Sequence, residues 1–176
     1  MTQNAASIIE TDRLALRQPR ADDWLVFRDF MMSERSEGVG GPLNEGKAWR
    51  AFAAELGHWQ IHGFGMWAVT RKADHTVLGM IGAWFPVDWP ETEIGWMIFD
   101  PEIEGTGIAS EAARAAVQYA WNVLKWDTIV SYIADWNTRS IKLAERLGAV
   151  LDPDAPQPKP DQPCLVYRHP KPELSK

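Results

Sequence analysis

A chain of 176 residues suits one domain, long enough to bury about two-thirds of the surface its unfolded form exposes. A formal charge of −6 argues against nucleic acid as the main partner, since holding phosphates needs a basic surface, and is compatible with a cationic substrate. No apolar run approaches the roughly 18 residues of a membrane span and residues 1–7 lack a basic, hydrophobic signal region, so a cytoplasmic protein with no membrane partner is expected.

Residues 13–18 alternate as a first strand, and Ala21-Asp22-Asp23 opens a helix running to about Met32. A loop over 33–46 follows, with Val39-Gly40-Gly41-Pro42 at its centre. Asn44 is placed to cap a helix over 45–62 whose Trp49, Phe52, Ala53, Leu56 and Trp59 share one face. Residues 66–70 and 77–85 form a hairpin carrying Trp67 and Trp84 as core or site-wall side chains. His58 and His62 lie one helical turn apart without a third ligand, and the single cysteine, Cys164, excludes an intrachain disulfide and a cysteine-cluster metal site. No metal is expected.

Residues 93–99, apolar, β-branched and aromatic, form a strand closed by Asp100-Pro101. A helix follows, because Ile108, Ala109, Ala112, Ala116, Ala120 and Leu124 recur at three- and four-residue spacing. The turn between them, Glu104-Gly105-Thr106-Gly107-Ile108-Ala109, feeds straight into that helix, so its leading N–H groups lack intrahelical acceptors. Glycine lets the main chain approach a ligand, and the helix dipole favours an anion by roughly 0.3–1 kcal/mol. A diphosphate suits such a site. A lone Gly-x-Gly turn is more often a plain turn, and both standard phosphate-loop patterns fail here, one for want of its third glycine and the other because no Gly-Lys-Ser/Thr occurs.

Residues 128–133 read as a buried strand that completes a strand–helix–strand unit with a right-handed crossover. A short helix over 140–147 closes at Gly148. Residues 152–163 hold five prolines among twelve positions, an extended loop before a final strand at 164–168 in which Cys164 is a buried thiol. A tail, 169–176, is expected to be mobile from Pro170 onward.

The segment Glu104-x-x-Gly107-x-Ala109 resembles the acetyl-CoA-binding core of the GNAT superfamily of N-acetyltransferases, whose pattern is Gln or Arg, two residues, Gly, one residue, then Gly or Ala. Asn137, Ser140, Leu143 and Leu147-Gly148-Ala149 are similar to the family's Asn-x-x-Ser-x-x-Leu…Leu-Gly-Ala segment. Residues 10–17 resemble the first strand of its ribosomal-protein-acetyltransferase-like branch, so the match spans about 8–151 of a single domain. The resemblance implies an α/β, GNAT-like fold with a mixed, mainly antiparallel central sheet flanked by helices on both faces. It also implies acetyl-CoA as co-substrate, no metal, and direct acetyl transfer in a ternary complex. The acceptor is then a primary amine, on a protein N-terminus or a small molecule, and a homodimer is compatible with the family. The alternative is a CoA-ester-binding sensor without turnover, suggested by Glu104 and by Ala144, which stands where some relatives carry a tyrosine.

Carried over residue by residue, the main chain of Met97, Ile98 and Phe99 pairs with the pantetheine arm and polarises the thioester. Glu104, Gly105, Thr106, Gly107, Ile108 and Ala109 form the diphosphate turn, and Asn137 and Ser140 lie beside the pantetheine. Because a carboxylate repels a diphosphate, Glu104 is expected to point away. Glu93 is placed as general base, with Glu91 in reserve and a salt-bridged strand glutamate as the bland alternative. Ser140 is expected to hydrogen-bond the departing thiolate, with Tyr167 as second candidate. The 33–46 loop either borders the acceptor or simply connects two helices.

Overall fold

Two short antiparallel strands, β1 (Ile9–Glu10) and β2 (Leu14–Arg17), come first in the computed structural model, which describes residues 8–172. The segment 1–7 and the last four residues of the tail lie outside the described residues. Asp23 ends a 3-10 turn, Ala21–Asp23, by accepting from the Arg20 N–H and pairing with Arg17 at 2.7 Å, and α1 (Trp24–Met31) continues from it. The expected loop contains another 3-10 turn, Glu34–Val39. Asn44 then caps α2 (Glu45–His62) by accepting from the Lys47 N–H at 2.9 Å, a bond type worth about 1 kcal/mol, and Gly63 stops the helix at φ +74°.

Beyond α2 lie β3 (Met66–Arg71), β4 (Val77–Trp84), β5 (Glu93–Ile98) and α3 (Ile108–Tyr119), the last running on through a wider π-turn, Ala120–Leu124. Strand β6 (Val130–Ile133), helix α4 (Thr138–Arg146) and strands β7 (Val150–Leu151) and β8 (Leu165–Arg168) follow among the described residues. The eight strands make one sheet in the order β1-β2-β3-β4-β5-β6-β8-β7. Every neighbouring pair is antiparallel except β5–β6, which is parallel and held at a single bridge, Glu93 to Val130. Past that bridge the two strands diverge and open the sheet.

Alternation along β5 sorts its side chains onto the two faces. Met97 joins Met66 and Met80 beneath Phe27, Phe30 and Phe52 of α1 and α2. Ile94 faces the other way, onto Ala112, Ala113 and Ala116, whose small side chains let α3 lie close to the sheet. The apolar face of α2 is rotated from the one its sequence suggests: Ala48, Phe52, Glu55, His58 and Trp59 are buried, whereas Trp49 is 56% exposed. The expected tail also begins too early. His169 is buried, its N–H donating to the Ile129 carbonyl and its ring bonded to Ser131.

Candidate active site

The gap between β5 and β6 joins two cavities, one on each face of the sheet, that share Gly38, Val39, Trp96, Met97, Asn137 and Ser140. The first, about 350 Å³, opens on the α3–α4 side against Gly105, Gly107, Ala109 and Ser110. Gly107 takes φ +82° as the N-cap of α3, and Glu111 is the first residue of the helix whose N–H reaches back, to the Gly107 carbonyl at 3.0 Å. The N–H groups ahead of it are therefore left to a ligand. Arg13 braces this turn, donating to the Thr106 carbonyl at 3.0 Å and to Glu111 at 2.7 Å. Burial alone would raise the pKa of Glu111, but its bonds from Thr11 and Arg13 outweigh that and hold it below the ordinary carboxylate range.

Four cations, Arg35, Arg139, Lys142 and Arg146, line this cavity against one carboxylate, Glu104. Glu104 does not point away as expected. It stands on the wall, accepting from Arg35 at 2.8 Å and from Arg139 at 3.0 Å, so its repulsion is cancelled and two guanidinium groups are parked beside the turn. Thr106 and Ile108 belong to the turn without lining the cavity: the Thr106 hydroxyl donates to the Ile103 carbonyl and Ile108 packs into the core.

The main chain of β5 meets the gap one residue out of step with expectation. Phe99 donates its N–H to the Leu78 carbonyl at 2.9 Å, and Met97 pairs with Met80, so both face β4. Ile98 turns its carbonyl outward, where Arg35 donates to it at 3.2 Å, and Ile94 presents its carbonyl to the Ser131 hydroxyl at 2.6 Å. By the same alternation Trp96 also faces the gap. Ile98 and Trp96, rather than Met97 and Phe99, offer free N–H groups there. The Phe99 ring packs with Phe27 and Phe30 instead.

Asn137 caps α4 by accepting from the Ser140 N–H at 3.2 Å, and the Trp96 indole donates to the Ser140 hydroxyl at 3.0 Å. With its oxygen occupied, Ser140 keeps its own hydrogen free for an acceptor in the gap. Tyr167 lines neither cavity; its ring packs with Ile133, Ala144 and Ala149 on the far side of β6.

The second cavity, about 580 Å³, lies on the α1–α2 face, and its charge is the reverse of the first. Glu37, Glu55, Glu93 and Asp135 oppose a single cation, Lys159, among walls of Phe27, Trp84, Trp89, Trp96, Tyr132 and Trp136. Burial pushes Glu93 up to about 7, against bonds from the Trp89 indole, at 2.6 Å, and the Tyr132 N–H, and against the charge of Lys159. Burial, aided by the charge on Glu93, pushes Glu55 up to about 8. Glu91 is no substitute base: Arg168 grips both its oxygens, at 2.7 and 3.1 Å. Cys164 is half-buried on the cavity wall, and the proline-rich loop contributes Pro158, Lys159, Gln162 and Pro163 beside it. Both ring nitrogens of His58 are committed to main chain, to the Phe64 carbonyl at 2.8 Å and the Phe85 N–H at 3.0 Å, so it is a neutral structural residue.

Sequence reasoning missed Arg35, Arg139 and Glu55. The third left a trace, because Glu55 stands three residues after Phe52 and four before Trp59, on the buried face of α2.

A parallel pair pried open beside a glycine-bearing helix start, with an anion-attracting cavity on one face and a cation-attracting one on the other, defines a two-substrate transferase. A model of the acetyltransferase (GNAT) domain family matches residues 13–150, and the chain belongs to that family; it is an acyltransferase. An acetyltransferase from Agrobacterium tumefaciens str. C58 is 38% identical over 93% of this chain and 94% of its own, with a TM-score of 0.86. The ribosomal-protein-S5-alanine acetyltransferase from Vibrio fischeri shares the fold at 16% identity, covering 97% of this chain and 100% of its own, with a TM-score of 0.69. RimL, a ribosomal L7/L12 α-N-protein acetyltransferase solved with coenzyme A, does so at 16% identity, over 92% of this chain and 96% of its own, with a TM-score of 0.70. Among the described residues no helix is long and apolar enough to cross a membrane.

Proposed function

We propose that the protein is an N-acetyltransferase that moves the acetyl group of acetyl-CoA directly to the nitrogen of a primary amine. The observation that carries this reading is the pairing of oppositely charged cavities across one slit in the sheet. Four cations beside a helix start suit the phosphates of CoA, and a carboxylate-rich, aromatic-walled chamber suits an ammonium. The two ligands meet where Trp96 and Ser140 stand on both walls.

An amine arrives protonated and must lose a proton before it can attack. The Glu93 carboxylate takes that proton, its pKa near 7 matching the task at neutral pH. The nitrogen lone pair then bonds to the thioester carbon, and the carbonyl electron pair moves onto oxygen, where the Ile98 or Trp96 N–H stabilises it. As that pair returns, the carbon–sulfur bond breaks and the sulfur leaves as thiolate, toward which Ser140 turns its free hydrogen. The thiolate takes up the second nitrogen proton, leaving a neutral amide and free thiol, and Glu93 releases its proton to water. Neighbours named for ribosomal proteins share only the fold at their identities, so the acceptor must be read from the cavity itself.

Isothermal titration with acetyl-CoA tests the cofactor half, and release of free thiol in the presence of an amine panel tests the transfer. Absence of heat and of any thermal shift at millimolar acetyl-CoA would overturn the proposal. Ser140→Ala is expected to lower kcat about tenfold, the scale of one hydrogen bond to a charged group, with KM for acetyl-CoA little changed. Steady-state kinetics check it, and an unaltered kcat would remove Ser140 from the chemistry.

A further inference from the structure

Glu55 has a problem that the fold does not solve. Only 7% exposed, it has a buried Oε2 with no hydrogen-bond partner among the described residues, yet it lines the acceptor cavity. Other inward-facing acids are matched: Asp23 has Arg17 at 2.7 Å, and Glu91 has Arg168 at 2.7 Å. A carboxyl group kept dry without a partner is costly, so a buried acid left unpaired on a cavity wall points to a donor arriving from outside.

The remaining walls describe that donor. Trp84 is fixed by stacking on His58, ring centroids 4.6 Å apart, and Trp89 is fixed by its bond to Glu93. Such rigid ring faces suit an apolar body carrying a cation. We propose that the acceptor is a small primary amine with an apolar, ring-sized body and no carboxylate beside its nitrogen, and that Glu55, together with Glu93, selects its ammonium. The inference rests on the acetyltransferase reading above. An amino acid would bring its own carboxylate among Glu37, Glu55, Glu93 and Asp135, with Lys159 alone to offset it. A peptide N-terminus would bring the cation but would leave its following amides against rings. The cavity volume, about 580 Å³, is that of a small-molecule site.

Glu93 on β5 acts on Glu55 directly, and the other titratable groups lining the same cavity are Glu37 before α2, Tyr132 on β6, Asp135 beyond it, and Lys159 and Cys164 on the proline-rich side, with His58 one turn along α2. Since Glu55 ionises last of the pair, KM for the amine should fall as pH rises through about 8, and Glu55→Gln should abolish that fall.

The test compares 2-phenylethylamine, phenylalanine and an alanine-terminated tripeptide with acetyl-CoA, on wild type and Glu55→Gln. Wild type is expected to favour 2-phenylethylamine in kcat/KM by about tenfold or more over both others. Above pH 8, where Glu55 is ionised, Glu55→Gln, which keeps the side-chain volume, is expected to raise KM for that amine about tenfold while the thermal shift with acetyl-CoA is retained. Faster turnover of phenylalanine or the tripeptide by wild type would overturn the inference without any variant, as would no turnover of 2-phenylethylamine by a protein that binds acetyl-CoA. An unmoved KM and pH profile in Glu55→Gln would also overturn it. No thermal shift with acetyl-CoA in wild type would instead defeat the acetyltransferase reading, and this inference with it.

Discussion

Replacing Glu93 with Gln is expected to lower kcat by about 10²- to 10⁴-fold, the usual weight of a positioned general base, while acetyl-CoA binds as before. The cavity proposed for the cofactor opens on the α3–α4 side and Glu93 lines the other, so turnover and the KM for the amine should suffer while acetyl-CoA binding is spared. In wild type kcat/KM should rise with pH through about 7, as Glu93 ionises, and the residual activity of the variant should lack that limb. Stability should move the opposite way. Because the folded pKa is raised from 4.5 to about 7, the fold holds this proton more tightly than the unfolded chain does; the contribution is complete below pH 4.5 and lost as pH rises through 7. Gln is neutral throughout and its amide oxygen still accepts from Trp89. At pH 8 the variant is therefore expected to melt higher than wild type, and at pH 4.5 about equally. Equal turnover would remove Glu93 from the mechanism, and a lower melting point at pH 8 would show that its ionised form stabilises the fold.

What the sequence made legible were the features set by neighbours in the chain. The bounds of α2 follow from Asn44 and Gly63, and the turn into α3 from Gly105 and Gly107, because caps and positive-φ glycines act locally. Strands of two residues, β1 and β7, carry too few side chains to show a period, and only pairing partners define them. Which β5 amides reach the gap depended on which of them β4 takes, and no side-chain pattern records that. Arg35 was invisible for a different reason: it sits in a loop and meets Glu104 69 positions away, so the guanidinium that cancels an unfavourable carboxylate is a tertiary fact. Glu55 was passed over because apolar periodicity ranks a glutamate on a helix as solvated. It is buried because α2 closes over the second cavity as well as the core beside it. A local rule broken without a partner marks the site proposed for the acceptor, as such breaks do where function outweighs stability.

Gly107→Glu is expected to weaken acetyl-CoA binding by more than about 100-fold, because it places a like charge where the diphosphate should rest. Two effects must be separated. Gly107 sits at φ +82°, a left-handed conformation that costs other residues roughly 1–2 kcal/mol, so any side chain here strains the start of α3. Space is not the obstacle, since a Cβ would lie 3.5 Å from Arg13 Nη2, an ordinary contact. A glutamate there would also draw Arg13 away from the Thr106 carbonyl and Glu111, loosening the brace that shapes the turn. Gly107→Ala carries the strain without the charge, and should lose about tenfold in affinity at most, with a small drop in melting temperature. Titrating both variants with acetyl-CoA alongside thermal melts divides the two causes. If both lose binding equally, backbone shape rather than anion repulsion governs the site. If Gly107→Glu binds like wild type while remaining folded, the diphosphate does not sit at the head of α3, and the assignment of the first cavity to CoA fails.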